Sequence, residues 1–233
     1  MRRLHLLFTL TSLSVLLVTL ERFSFTTNVL LQPYSFLRLH EVIQMTILIF
    51  ITVLIPFFIL KEVSHNFELM RTRKGTLLAT LFIAGVYFYA TGNGAHEIAS
   101  YLFNSFCDVK RFTSTLCGSM FFNEYYFGNI LFFFGAALMT IPLILLERSK
   151  PKNKAENRDV GLIVINAIVY AIAITAYAAF DRVLVGIVYS LAMTIIIDIL
   201  LLTARKSWRQ LPFTTYSAIC YTLGTIVALF IRF

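Results

Sequence analysis

Three residue pairs carry the groups best able to do chemistry: His40-Glu41, His96-Glu97 and Asn123-Glu124. Imidazole and carboxylate together hold zinc or another divalent ion, and they exchange protons near neutral pH. The middle pair sits in Thr91-Gly92-Asn93-Gly94-Ala95-His96-Glu97-Ile98-Ala99-Ser100. On a helix, Asn93, His96, Glu97 and Ser100 would share one face at i, i+3, i+4 and i+7. The expected ligands of a divalent metal such as zinc are His40, His96 and Glu97. Glu97, Glu124 and Asn93 are the expected acid/base and substrate-polarising groups, with Glu41 in support. The same groups suit protons or a cationic solute. Glu41 and Glu124 also suit plain capping, because a helix dipole favours a carboxylate at its N-terminus.

The elements that position these pairs follow from composition. The chain has 233 residues, of which 58% are hydrophobic and 14% charged, with a mean hydropathy of +0.79. Soluble domains are about a quarter charged. Seven apolar runs, at about 4–20, 41–60, 76–97, 123–146, 160–180, 183–203 and 212–231, have the length a helix needs to cross a hydrocarbon core. Backbone groups cannot stay unsatisfied in lipid, so these runs are expected to be helices. The expected fold is all-α, a polytopic integral membrane protein built as one seven-helix bundle domain over 1–233. Two glycines within three residues weaken the third helix near Gly92 and Gly94, and a broken helix at that depth would line a site or watery cavity.

The net charge of +8 is distributed by topology. With the N-terminus inside, fourteen Lys and Arg residues fall in inner segments, among them Arg2, Arg3, Arg71, Arg73, Lys74 and the basic loop 148–159. Six, namely Arg22, Arg38, Lys110, Arg111, Arg182 and Arg232, fall outside. This is the positive-inside pattern, with the C-terminus outside. The basic excess is therefore assigned to orientation and anionic headgroups, with no nucleic acid partner. The expected location is a bacterial or archaeal plasma membrane. Arg2-Arg3 before an apolar run imitates a signal peptide, but no A-x-A-like site precedes Glu21, so a retained signal-anchor helix is expected.

Cys107 and Cys117 share an outer segment and can form a disulfide in an oxidising compartment, whereas Cys220 lies within the seventh run and suits packing. The outer segments 21–40 and 98–122 are aromatic, and Phe23, Phe25, Tyr34, Phe36, Phe103, Phe106 and Phe112 are candidates for a lid. The polar loop 148–159 is the expected flexible hinge between a four-helix and a three-helix half. The second and fourth runs echo one another, each starting with a polar residue and Glu and each carrying a proline near its inner end, Pro56 and Pro142. Duplication of a helix pair would explain the echo. Deeper in the sixth run, Asp198 follows Gly186, Ser190 and Thr194 at four-residue steps. Asn166 on the preceding run is placed opposite it, as a buried hydrogen-bond partner or part of a proton relay.

Several classes are excluded. The seventh run has no lysine for a retinal Schiff base, and G-x-x-x-x-G-K-[ST], H-E-x-x-H and C-x-x-C are absent. Seven-helix hydrolases related to alkaline ceramidases and the progestin-receptor-like proteins carry a late-helix histidine pair. No His follows His96 here, so no family is assigned. Three functions stay open: an enzyme acting on a lipid or amphiphile at the outer leaflet by metal-assisted hydrolysis or transfer, a small-solute or proton-coupled transporter, and a non-catalytic assembly partner.

Overall fold

The computed structural model describes residues 1–108, 110 and 114–233, so Arg111 and Phe112 lie outside the described residues. Seven helices are long and apolar enough to cross a membrane. They are α1 (Arg2–Glu21), α2 (Leu39–Val63), α3 (Arg73–Phe106), α4 (Thr115–Ser149), α5 (Asn157–Phe180), α6 (Val185–Leu202) and α7 (Pro212–Arg232). No β-strand occurs among the described residues; a single bridge joins Leu30 to Arg38.

Local chemistry starts these helices. The Thr72 hydroxyl accepts from the Gly75 nitrogen at the start of α3, and Ser114 accepts from Cys117 at the start of α4. In α5 the Asp159 carboxylate accepts from the Glu156 backbone at 3.1 Å. α7 starts with Pro212, whose missing N–H is tolerated in a first helical turn. Its next two nitrogens, of Phe213 and Thr214, each donate at 2.8 Å to Glu147 on α4, which is fully buried. A carboxylate from one helix thus caps another, and it favours the positive end of that helix.

Two expectations are corrected. α3 is unbroken across Gly92 and Gly94, and α3 and α4 extend well into the segment 98–122, leaving only 107–114 between them. Cys107 and Cys117 are disulfide-bonded across this short link. Helical irregularity falls elsewhere, as π-helical turns at Gln44–Leu48 in α2 and Asn123–Gly128 in α4. Such turns shift the face a helix presents and recur at functional sites. Both lie beside the polar-Glu pairs of the two echoing segments, while Pro56 and Pro142 stand inside otherwise helical runs.

The glycines of α3 serve packing. A Cβ on Gly92 would stand 2.2 Å from the Phe132 nitrogen, and one on Gly85 would stand 2.8 Å from the Gly135 oxygen. Reciprocally, a Cβ on Gly135 would stand 2.2 Å from the Tyr89 nitrogen, and one on Gly128 would stand 2.8 Å from the His96 nitrogen. Gly85 and Gly92, like Gly128 and Gly135, lie seven residues apart, which keeps each pair on one face. Small residues at such contacts let membrane helices come to backbone distance.

α7 is the most buried helix and packs against α5 and α6, while α1 packs on α2 and α5. Leu6, Leu10, Leu13 and Leu17 on α1 and Val188, Ile195, Ile199 and Leu202 on α6 are exposed, as apolar faces turned to lipid are. Because α7 lies against α6, Asp198 accepts from Thr222 at 3.1 Å, and Asn166 instead donates to the Leu162 carbonyl at 2.9 Å. The expected Asn166–Asp198 bond is absent. Thr194, on the same stripe, meets Thr225 at 3.0 Å, and Gly186 packs against Tyr177.

At the basic end, the loop 148–159 is held in place. Lys152 and Ala155 nitrogens donate to the Gln210 and Arg209 carbonyls, and the Lys150 ammonium meets Glu68 at 2.7 Å. That ammonium holds the exposed Glu68 carboxyl below its usual value.

The glycine contacts make a paired prediction. Gly92→Ala pushes against backbone and should cost about 1–3 kcal/mol. Gly94, with nothing within 4 Å of an added Cβ, should gain about 0.4–1 kcal/mol as alanine. Thermal unfolding of the two variants in one detergent checks the opposite signs.

Candidate functional site

At the end away from the basic loops, α1, α2, α3 and α4 bring together a buried polar cluster. Its centre is His40, on the first turn of α2. His40 Nδ1 contacts Glu21 at the end of α1, and His40 Nε2 lies 3.6 Å from Glu97 Oε2 on α3. All three side chains are buried. The 3.6 Å separation is ion-pair distance and too long for a direct hydrogen bond.

Glu21 is an acceptor for several groups at once. Thr26 and Ser24 donate to its Oε1, and Gln44 donates to its Oε2 at 3.1 Å. With these donors around it, the carboxylate accepts the Nδ1 proton of His40 and orients the ring so that Nε2 faces Glu97. Gln44 reaches Glu21 from the first residue of the π-helical turn in α2. The turn thus sits where α2 meets α1.

Arg22 follows Glu21 directly and is half-exposed. Its guanidinium stands 3.8 Å from Glu97 Oε1 and 3.0 Å from His96 Nε2. Arginine has no acceptor, so His96 Nε2 must accept and the ring proton sits on Nδ1. Nδ1 in turn donates to the Glu124 carbonyl at 2.8 Å. That reach exists because Gly128 lets α4 lie directly on the backbone of His96.

The expected site residues therefore divide. His40 and Glu97 meet; Glu21 and Arg22, which sequence reasoning left out of the site, complete their surroundings. His96 lies beside them, but its second nitrogen is taken by a cation. Glu41 pairs with Arg38 instead, accepting from its Nε at 2.8 Å and from its backbone at 2.9 Å. This is the capping role open to it. Glu124 is no N-terminal cap, because α4 begins nine residues earlier; it is buried within the helix, and its Oε2 has no hydrogen-bond partner among the described residues. Asn93 is likewise buried, one turn deeper than Glu97, with its Nδ2 unpartnered. Ser100, one turn further out, accepts from Asn104 at 3.3 Å. Among the described residues, no group of three or more His, Cys, Asp and Glu side chains is arranged to hold a metal ion.

The aromatic segment does not fold down as a lid. Phe23, Phe25, Tyr34, Phe36 and Phe106 are exposed, and among the described members of the expected set Phe103 alone is fully buried. The segment is anchored by polar contacts, with Tyr101 donating to the Ser35 carbonyl and Arg38 lying 5.8 Å from the Tyr101 ring. The hydroxyl donors of 24–26 gave the sequence signal that could have identified Glu21: a carboxylate at a helix end followed by Ser-x-Thr.

At the same end, Asp181 accepts from Asn129 at 3.2 Å, and Arg182 lies over the Tyr125 ring. Burial holds the Asp181 carboxyl above its usual value.

Two outcomes follow. In 15N NMR of His96, the nitrogen shifts should report a neutral ring protonated on Nδ1 at neutral pH; a protonated Nε2 would contradict the Arg22 contact. For Asp181, the folded state binds its proton more tightly than the unfolded chain does, so stability is highest in acid and falls as pH rises through the raised value. Asp181→Asn should flatten that fall, read as the melting temperature between pH 4 and 7. No family model, curated protein or solved structure matches the chain.

Proposed function

We propose that the protein is a membrane-embedded enzyme that acts on a lipid or amphiphile at the outer leaflet, with His40 and Glu97 as its acid/base pair. The observation that carries this reading is the Glu21–His40–Glu97 alignment: one carboxylate fixes the imidazole while the other faces its second nitrogen. A positioned imidazole is an efficient proton carrier in hydrolysis or group transfer. Glu21 acts as a positioning residue. Arg22, half-exposed above Glu97, is the natural anchor for an anionic headgroup. The positive-inside pattern supports reading this end as the outer one, and the exposed Phe23, Phe25, Tyr34 and Phe36 suit the headgroup depth of that leaflet.

A divalent ion between His40 Nε2 and Glu97 Oε2 fits only if Arg22 withdraws, since the guanidinium stands 3.8 Å from the other oxygen of the same carboxylate. His40 Nε2 and Glu97 would then be its two protein ligands, with Glu21 supporting the imidazole from behind. A second reading, proton-coupled transport of a small solute, draws on Glu97, Asn93 and Tyr89 at four-residue steps along α3. Tyr89, at the inner end of that stripe, lines a cavity inside the bundle.

The test is phospholipid turnover by the purified protein in nanodiscs of phosphatidylethanolamine and phosphatidylglycerol, with products followed by mass spectrometry and bound metal measured in parallel. Turnover should fall by about 10²-fold or more in His40→Ala and in Glu97→Gln. No product from the wild-type protein, or equal turnover in both variants, would overturn the enzymatic reading.

A further inference from the structure

The centre of the bundle holds a cavity of about 60 Å³. Every helix except α6 brings at least one hydroxyl to it, from Thr11 and Ser14 on α1, Thr52, Tyr89, Thr140, Tyr170 and Ser217; those of Thr11, Ser14 and Thr52 donate to carbonyls of their own helices and keep lone pairs to accept. Thr11, Thr52, Tyr89 and Tyr170 lie near the middle of their helices, whereas Thr140 and Ser217 lie nearer the basic-side ends, so the cavity sits inside the apolar layer and reaches toward the basic end. Dry cavities are lined by aliphatic and aromatic carbon, whereas a cavity with several hydroxyls supplies the two to four partners that a buried water needs. The volume is several times the roughly 10–15 Å³ required for one water. Tyr216 and Tyr221 also line the space, and their hydroxyls are paired with Ser12 at 2.7 Å and Tyr189 at 2.6 Å. Each paired hydroxyl oxygen keeps a lone pair for a further donor.

The surroundings of the cavity are asymmetric. Toward the basic end its lining is apolar, with Ile59, Leu143 and Phe213 all buried in the core. Toward the other end, Tyr89 is followed on the same face of α3 by Asn93 and then Glu97. Asn93 is 6% exposed, and its amide nitrogen has no hydrogen-bond partner among the described residues. An unsatisfied buried amide is costly, and a water between the cluster and the cavity would satisfy it.

We propose that the cavity is a resident water site within the bundle, filled through Asn93 from the His40–Glu97 cluster. This is independent of the enzymatic reading. It gives the acid/base cluster a store of water and proton acceptors within the bundle, reached along one face of α3. Water is the ligand, and the hydroxyls of five helices and α7 are its binding groups.

Radiolytic hydroxyl-radical labelling of the full-length protein in nanodiscs tests the site, because radicals formed from bound water mark the side chains beside it. Tyr89 and Tyr221 should be modified several-fold more than Phe82, an equally buried ring outside the cavity. Labelling of the two tyrosines at the level of Phe82 in the wild-type protein would overturn the proposal without any variant. Rapid mixing with H₂¹⁸O tests the route. Asn93→Leu should slow the appearance of ¹⁸O at Tyr221 while leaving the final extent of labelling intact, and an unchanged rate would overturn entry through Asn93. The conservative Asn93→Ser, which keeps a polar group, should restore fast exchange.

Discussion

The close approach of α3 and α4 is the constraint on which the rest of the molecule depends. In lipid there is little hydrophobic force between helices, so contact must come from dispersion and from backbones that can approach closely. Gly85, Gly92, Gly128 and Gly135 remove the side chains that would prevent it. The consequence reaches the polar cluster directly. With Gly128 against His96, the imidazole lies within 2.8 Å of the Glu124 carbonyl. That bond fixes the tautomer and leaves the other nitrogen to Arg22.

Charge burial is the second constraint, and several cases are solved by a specific partner. Glu147 is satisfied by two backbone nitrogens and the Thr214 hydroxyl at the start of α7. Glu41 is satisfied by Arg38. At the basic end His5 on α1 meets Asp159 on α5 at 2.6 Å. These pairs join helices that are distant in the chain, and breaking one partner leaves an uncompensated group in a medium that cannot solvate it. Glu97 differs, since its neighbours are a histidine at 3.6 Å and a half-exposed arginine at 3.8 Å, neither at hydrogen-bond distance. It is the least tightly held of the buried carboxylates with charged neighbours, which is the condition an exchanging group requires.

Much of the architecture was legible because the bilayer leaves few alternatives. Runs of about 20 apolar residues can satisfy their backbones only as helices, so seven spans follow from hydropathy. The site was half legible. His40 and Glu97 could be picked out as costly groups near the ends of apolar runs, and Asn93 by its four-residue step from Glu97. Glu21 and Arg22 were passed over because they read as the ordinary polar end of a first helix. The glycines were misread for a similar reason: in isolation Gly92 weakens a helix, but against Gly128 and Phe132 it is the only residue that fits. Asp198 was assigned to Asn166 by counting along adjacent helices, but the placement of α7 gave it Thr222.

The sequence by itself determined that the chain is a bundle of membrane helices, where those helices run, and which residues are too polar to be there without a reason. These are properties of composition and period, set by the cost of exposing backbone or charge to hydrocarbon. Only the tertiary structure decided which of those polar residues meet. Helix rotation, the π-helical turns at Gln44–Leu48 and Asn123–Gly128, and glycine contacts between α3 and α4 set the faces. A rotation of about 100° per residue moves a side chain from protein to lipid, and no local pattern records the angle at which two helices finally pack.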